Sequence, residues 1–138
     1  PLKKELQTYI TTHDLEDAVT MVGWIDNNDL PSYYAAADVL VGPSLHEAQG
    51  LVFLEALASG LPVITTNQGG MQDFMKDGEN GFMVPPKSAH ALYQKLVTLY
   101  DNRTLLDTMA KNAASSVKQR YSWSAVTKRY VAIFKDKT

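Results

Sequence analysis

The fold of this chain is decided by the stretch Pro43-Ser44-Leu45-His46-Glu47-Ala48-Gln49-Gly50-Leu51-Val52-Phe53-Leu54-Glu55-Ala56. Two short apolar runs flank it, Val39-Leu40-Val41 before and Pro62-Val63-Ile64-Thr65 after. The apolar runs predict strands, and the apolar residues from Gly50 onward predict a buried helix between them. Glu47 then lies in the loop, and Glu55, eight positions later, lies inside the helix.

The rest of the chain continues the alternation of strands and helices. Strands are predicted over residues 18–22, 39–41, 63–65 and 81–84. Helices are predicted for the amphipathic start of the chain and over residues 29–37, 50–59, 71–76, 88–100, 103–119 and 123–135. Gly60 is expected to end the helix over residues 50–59. This order predicts an α/β fold, with a Rossmann-like parallel sheet and helices on both faces.

Length and composition indicate one ordinary globular domain. The chain has 138 residues, of which 45% are hydrophobic and 20% charged, and no apolar run approaches the ~18 residues that span a bilayer. The absence of cysteine excludes disulfides and thiolate chemistry. The three histidines are too far apart in sequence to show metal-ligand spacing, so we expect no metal. Because the chain starts at Pro1, we expect a truncated single domain over residues 1–138 that lacks its first strands.

Charge is distributed unevenly along the chain. Residues 1–86 carry twelve acidic and three basic side chains, whereas residues 87–138 carry three acidic and ten basic ones. The basic residues are spread along predicted helices at mixed spacing. This pattern favours solvated helix faces over a patch for nucleic acid or membrane, and we expect no nucleic-acid partner.

Glu55 is the first candidate for function. The predicted helix over residues 50–59 is apolar almost all round, and only Glu55 and Ser59 interrupt it. A buried carboxylate is costly unless hydroxyl or amide groups donate hydrogen bonds to it. Those donors are either protein groups or the hydroxyls of a ligand, and the residues alone leave both alternatives open.

Glu47 is the second candidate. It lies beyond the carboxyl end of strand 39–41, where ligands bind in open α/β sheets, although alone it would be an exposed loop acid. Gly50 would let a ligand approach the backbone, and the free N–H groups of Gly50, Leu51 and Val52 would form a seat for phosphate. A diphosphate in that seat, with Glu55 one turn further along, suggests a nucleotide.

The ordered set of residues resembles a known signature, that of the retaining GT-B glycosyltransferases of family 4, the large group 1 family. The central match is Pro43-Ser44-x-x-Glu47-x-x-Gly50-Leu51-Val52-x-x-Glu55-Ala56-x-Ala58-x-Gly60-x-Pro62-Val63-Ile64. The flanking matches are Val22-Gly23, Tyr33-Tyr34-x-x-Ala37-Asp38-Val39, Gly69-Gly70, Asp77-Gly78-x-Asn80-Gly81-x-x-Val84-Pro85 and Tyr121-Ser122-Trp123. The resemblance covers about residues 18–135.

The resemblance implies that the chain is the incomplete C-terminal, donor-binding domain of a GT-B fold. The parent protein would move a hexosyl group from a nucleotide-diphosphate sugar to an acceptor, without a metal or other cofactor. The acceptor, whether a sugar, a lipid-linked molecule or another compound, would meet a separate N-terminal domain of the same protein. The implied location is the cytoplasm, with a peripheral position at the inner membrane face for a lipid-linked acceptor.

The resemblance also assigns roles by position. Glu47 is the catalytic residue, which faces the transferred sugar and supports its departure with retention of configuration. Glu55 accepts hydrogen bonds from the ribose of the nucleotide. The remaining donor-binding groups are the backbone N–H groups of Gln49, Gly50 and Leu51 for sugar hydroxyls, that of Val52 for the diphosphate, and Gly23 and Trp24 beside the nucleobase.

Two departures from the family pattern limit these roles. Ala48 stands where the family often has Gly, and Gln49 where it usually has Phe, so the resemblance leaves the sugar preference open. The family's basic residues for the diphosphate would precede this chain, and no Arg or Lys lies between Lys4 and Lys76. We therefore predict that the 138 residues alone are inactive. The alternatives are a non-catalytic domain for nucleotide-sugar binding or assembly, and a GT-B-like epimerase.

Other candidates have plainer interpretations. Gly69-Gly70 could line the donor pocket or form a tight turn, and both remain open. His46 is interpreted as a loop bystander, and Asp73 as a first-turn charge on its helix. Tyr121 and Trp123 are interpreted as packing aromatics at a helix start.

Overall fold

The computed structural model describes residues 2–135, and the chain divides after Leu30 into two compact units. The first unit contains helix α1 (Lys3–Thr12), which confirms the predicted helix at the start of the chain. The predicted strand over residues 18–22 is wrong, because this segment has no regular structure. A strand needs a hydrogen-bonded neighbour, and none of the three strands in the described chain pairs with it.

The second unit is built on a parallel sheet of three strands in the order β1-β2-β3. The strands are β1 (Leu40–Gly42), β2 (Val63–Thr66) and β3 (Gly81–Val84). Leu40 pairs with Val63, and Val63 pairs with Gly81. The α/β fold class and three of the four predicted strands are confirmed. Since the strands are parallel, their carboxyl ends lie at the same edge of the sheet, and the loop to the predicted site begins there.

Helices surround this sheet close to the predicted positions. They are α2 (Leu30–Ala36), α3 (Leu51–Ala58), α4 (Ala89–Asp101), α5 (Arg103–Tyr121) and α6 (Trp123–Lys135). The side chain of Ser88 accepts the N–H of Ala91 before α4, and that of Asn102 accepts the N–H of Leu105 before α5. These caps set the starts of both helices because each satisfies an amide that the helix leaves unpaired. Within residues 2–135 no helix is long and apolar enough to cross a membrane.

One cluster of the hydrophobic core joins the sheet to helices α4 and α5. Its buried members from the strands and from the two helices are Ile64, Phe82, Val84, Leu99, Leu106 and Met109. Ile64 and Met109 are completely buried, so this layer anchors β2 at the centre of the sheet. Burying a side chain of this size contributes about 1.5–3 kcal/mol. The core therefore fixes the strands from which the candidate site begins.

The predicted helix over residues 71–76 is displaced toward the amino terminus. The structure has a 3-10 helix at Gly69–Asp73 instead. The buried side chain of Asn80 explains the early end, because its Oδ1 accepts the N–H of Lys76 at 2.8 Å. A longer α-helix would bond that N–H to the carbonyl of Gln72. Asn80 also donates to the carbonyl oxygen of Phe74 at 3.0 Å, which holds the turn before β3.

Candidate functional site

The loop after β1 leads into α3 through Gly50. This residue has a left-handed backbone with φ +67° and is buried. A Cβ at this position would lie 2.7 Å from the terminal methyl group of Met71 and 3.1 Å from the ring of Phe53. The backbone angle therefore favours glycine here, and an added Cβ would also press on the side chains of Met71 and Phe53. At the other end of the helix, Gly60 has φ +82° and ends α3, as predicted.

Glu47 lies in the loop before α3 and binds the backbone at the amino end of this helix. Its half-buried carboxylate accepts a hydrogen bond from the N–H of Gly50, with 3.1 Å between Oε1 and N. The prediction that the Gly50 N–H is free is therefore wrong in this structure. The N–H groups of Gln49, Leu51 and Val52 have no hydrogen-bond acceptor among residues 2–135. Three amides thus remain available at this helix end.

Gly69 and Gly70 hold the neighbouring loop against the backbone beside Glu47. The N–H of Gly70 donates to the carbonyl oxygen of Glu47 at 3.4 Å. A Cβ at Gly70 would lie 2.6 Å from the carbonyl oxygen of Ala48, and one at Gly69 would overlap the carbonyl oxygen of Glu47. The two glycines therefore form the turn that one of the two predicted alternatives describes, and they lie against the backbone of the loop that carries Glu47.

Glu55 is exposed, so the prediction of a fully buried helix with a buried carboxylate is wrong. Phe53, Ala56 and Leu57 form the buried face of α3, whereas Leu51 is 60% exposed. Helix α5 and strand β2 pack on the buried face. No described element covers the face with Glu55 to the same extent. The sequence showed correctly that α3 is apolar almost all round, but it could not show which side of the helix packs against a neighbouring element.

Tyr34 supplies the hydrogen-bond donor that the Glu55 carboxylate was predicted to need. Tyr34 lies in α2, is only 7% exposed, and donates its hydroxyl to Glu55 Oε2 at 3.2 Å. Burial, followed by the negative charge of Glu55 and this hydrogen bond, raises the pKa of Tyr34 to about 12. The hydroxyl therefore stays protonated at neutral pH. No Lys, Arg or His of the described residues forms an ion pair with Glu55.

A groove lies beside the exposed face of α3. One cavity of about 410 Å³ is lined by residues of α3 and of the α5–α6 corner, which include Leu51, Glu55, Lys118 and Trp123. A second, of about 460 Å³, is lined at the loop end by residues that include Gln49, Gly70 and Trp123. The sequence analysis gave neither Lys118 nor Tyr34 a role at the site, although Tyr34 belongs to one of the flanking matches. The fold brings both near α3 from distant positions in the chain.

The outcomes for the minor candidates differ. Tyr121 packs edge-to-face on Phe74, with ring centres 6.1 Å apart, as predicted. The packing role predicted for Trp123 is wrong, since this side chain is 87% exposed. Asp73 ends the 3-10 helix and so is not a first-turn charge. His46 is exposed, which agrees with a bystander in the loop.

The predicted site residues are divided between the two units. Glu47, Gln49, Gly50, Leu51, Val52 and Glu55 lie together on one loop and helix of the second unit. Gly23 and Trp24 lie in the first unit, where Gly23 has φ +82° and Trp24 is 84% exposed. Among the residues that the structure describes, no group of three or more His, Asp or Glu is placed to hold a metal ion.

Comparison with known proteins agrees with this geometry. The family described as glycosyl transferases group 1 matches residues 1–116. An uncharacterized glycosyltransferase of Methanocaldococcus jannaschii is 32% identical over 117 residues, which are 85% of this chain and 30% of that protein. The chain thus spans less than a third of the length of this relative.

Two solved structures show the same fold. One is the C-terminal domain of a group 1 family glycosyl transferase from Francisella tularensis, with a TM-score of 0.81 and 36% identity over 88% of this chain and 63% of that one. The other is Anabaena HepE in complex with UDP, with a TM-score of 0.89 and 28% identity over 96% of this chain and 36% of that one. The chain belongs to the group 1 family of glycosyl transferases, and its α/β fold is that of the C-terminal domain of their GT-B architecture.

Proposed function

We propose that this chain is the donor-binding part of a retaining glycosyltransferase that moves a hexosyl group from a nucleotide-diphosphate sugar to an acceptor. The observation that carries the proposal is the pair of acids at α3, with Glu47 bound to its amino end and Glu55 on its exposed face. Between them, the amides of Gln49, Leu51 and Val52 have no acceptor within residues 2–135. The bound UDP in Anabaena HepE supports a nucleotide as the ligand.

The amino end of α3 is the proposed seat of the diphosphate. Free N–H groups and the partial positive charge of a helix end both favour an anion there. The amide of Val52 is assigned to the diphosphate, and those of Gln49 and Leu51 to hydroxyls of the sugar. The amide of Gly50 can join them only when Glu47 releases it, because the Glu47 carboxylate accepts it at 3.1 Å.

Glu47 is the proposed catalytic residue. As the bond between sugar and diphosphate breaks, positive charge develops on the transferred sugar, and a fixed carboxylate facing it stabilises that charge. The backbone contact of Gly69 and Gly70 with Glu47 and Ala48 holds the loop that carries this carboxylate. We propose that the transfer uses no metal or other cofactor. Gly23 and Trp24 are assigned to the surroundings of the nucleobase.

Transfer is proposed to require the whole protein. Residues 1–86 carry twelve acidic and three basic side chains, so a diphosphate approaching them meets net repulsion. Each contact with an exposed helix end offsets this repulsion by only about 0.3–1 kcal/mol. An N-terminal domain of the same protein would bind the acceptor. We place the enzyme in the cytoplasm, at the inner membrane face if the acceptor is lipid-linked. Sugar transfer by the purified 138 residues would contradict this requirement.

The first test is Glu55→Ala in the full-length protein. The exchange removes hydrogen bonds between a carboxylate and ribose hydroxyls, each worth about 1.5–3 kcal/mol, so the donor affinity should fall about 10- to 150-fold. Calorimetric titration with UDP, GDP and ADP, and then with their sugars, measures the affinity and identifies the base.

The matched control is Glu79→Ala, which removes an exposed carboxylate outside the groove. We expect its donor affinity to stay within twofold of the parent's, because surface ion pairs contribute little. Equal affinity and turnover in Glu55→Ala and the parent would contradict the donor assignment. Donor binding without any transfer by the full-length protein would favour a non-catalytic binding domain, the alternative suggested by Gln49.

A further inference from the structure

We infer that Tyr34 is a positioning residue that orients the Glu55 carboxylate and thereby gives the protein its preference for ribonucleotides over deoxyribonucleotides. This inference rests on the proposed function, in which Glu55 accepts hydrogen bonds from the ribose. Tyr34 lies on α2, and it is absent from the linings of the two cavities described beside α3. We therefore place it out of contact with the nucleotide, acting through Glu55.

The first argument is rigidity. An exposed glutamate has three rotatable bonds and populates many rotamers, and fixing them costs free energy when a ligand binds. Tyr34 is 7% exposed and has only two side-chain torsions, so its hydroxyl is a fixed point. Its bond of 3.2 Å to Glu55 Oε2 limits the rotation of the carboxylate before any nucleotide arrives. Part of the ordering cost is therefore met in the free protein.

The second argument concerns the direction of the hydrogen bonds. An ionised carboxylate only accepts, and the Tyr34 hydroxyl donates to one of its oxygens. The raised pKa of Tyr34, about 12, keeps this hydroxyl protonated. Oε1 of Glu55 has no hydrogen-bond donor among the described residues. This oxygen is left to accept from a hydrogen-bond donor of the ligand, such as a hydroxyl. A ribose offers two neighbouring hydroxyls, at its 2′ and 3′ carbons, whereas a 2′-deoxyribose keeps only the one at 3′. We assign the 2′ hydroxyl to this oxygen, so a deoxyribonucleotide would lose the bond.

The test compares the affinities of two nucleotides in the full-length protein. We choose the diphosphate that binds most tightly among UDP, GDP and ADP, and titrate it alongside its 2′-deoxy counterpart by calorimetry. The ratio of the two dissociation constants should be about tenfold or more in the parent, since losing a hydrogen bond to a charged group has at least this effect. In Tyr34→Phe the ratio should fall at least threefold, mainly through weaker binding of the ribonucleotide.

Tyr33→Phe is the matched control. Tyr33 is the neighbouring residue in α2, is 46% exposed, and its hydroxyl has no hydrogen-bond partner among residues 2–135. This exchange should leave the ratio unchanged. Tyr34→Phe is expected to fold, because it leaves only the exposed Glu55 unpaired, where water can replace the lost hydroxyl. Thermal unfolding of the three proteins verifies this.

The outcomes separate the inference from the proposed function. An unchanged ratio in Tyr34→Phe, with both affinities lowered equally, would show a purely structural role and overturn the inference while leaving the ribose contact in place. A ratio near one in the parent protein would overturn the inference, because the 2′ hydroxyl would then make no contact, and no binding of any diphosphate would overturn both. Glu55→Ala should bring the ratio close to one, which verifies that the discrimination passes through that carboxylate.

Discussion

The two faces of α3 have nearly the same apolar composition but different surroundings. Phe53, Ala56 and Leu57 are buried at 2%, 0% and 0% exposure, against α5 and the sheet. Leu51 and Glu55, on the opposite face, border a groove. The buried face fixes where the helix lies, and the exposed face determines what the helix presents to a ligand. The difference shows that one helix can serve the core and a site without sharing residues between them.

The exposed face is linked to a buried side chain by the hydrogen bond from the hydroxyl of Tyr34 to Glu55. This bond places a charged group of the candidate site in contact with a side chain that is itself buried. The loop end of the helix is held differently, by backbone contacts between Gly69, Gly70 and the residues beside Glu47. The different surroundings of α3 can therefore be tested by removing, one at a time, its buried packing, the glycine contacts of the loop and the Tyr34–Glu55 hydrogen bond.

Leu57→Ala should produce the largest effect. Leu57 is completely buried, and truncating such a residue costs about 2–5 kcal/mol through lost contacts and a cavity. The same change on the other face, Leu51→Ala, should cost less than about 1 kcal/mol, because Leu51 is 60% exposed. Urea unfolding of both variants measures the difference. Equal losses of stability would mean that the two faces of α3 contribute equally to the free energy of unfolding.

The limits of sequence reasoning follow from the same comparison. The existence of α3 and its end at Gly60 could be predicted, because apolar periodicity and a left-handed glycine are local properties. The exposure of Glu55 could not, since it depends on which elements pack beside the helix. The contact from Tyr34 to Glu55 is likewise tertiary. The segment over residues 18–22 has the composition of a strand, but pairing decides whether such a segment becomes one.

Gly69→Ala should have the next largest effect, in the loop that lies against the backbone of Glu47. Gly69 has φ +60°, and a Cβ there would overlap the carbonyl oxygen of Glu47. The control is Gly78→Ala, where φ is +79° but nothing lies within 4 Å of the added carbon. The control should lose about 1 kcal/mol from backbone strain alone, and Gly69→Ala about 2–3 kcal/mol.

The nucleotide affinities of Gly69→Ala and Gly78→Ala test the same backbone contact a second time. Displacing Glu47 should weaken nucleotide binding in Gly69→Ala, whereas Gly78→Ala should bind as the parent does. Denaturant unfolding and calorimetric titration of the full-length variants measure both quantities. If the two variants lose the same stability and keep the same affinity, the backbone contact does not shape the site.

Alkaline unfolding should show the smallest effect, at the hydrogen bond between Tyr34 and Glu55. The folded state raises the pKa of Tyr34 from 10.0 to about 12, so it binds this proton more tightly than the unfolded state. The resulting stability is complete below pH 10 and is lost as the pH rises through 12. The rise in pKa from 10.0 to about 12 is worth about 3 kcal/mol in all, at about 1.4 kcal/mol per unit, and about 2 kcal/mol of it is lost by pH 12. The free-energy difference between parent and Tyr34→Phe isolates this contribution, because the other titrating groups are common to both.

The size of the alkaline loss should depend on Glu55. Burial is the largest cause of the raised pKa of Tyr34, and the charge and hydrogen bond of Glu55 add to it. In a Glu55→Ala background, we compare the free energies of unfolding of the proteins with and without the Tyr34 hydroxyl. The difference between them should fall over a narrower pH range and by a smaller amount. Urea unfolding at several pH values between 9 and 12 measures the free energy of unfolding of four proteins: the parent, Tyr34→Phe, Glu55→Ala and the double variant. A difference that does not change with pH, or that is the same with and without Glu55, would mean that the exposed face is not coupled to the interior through this bond.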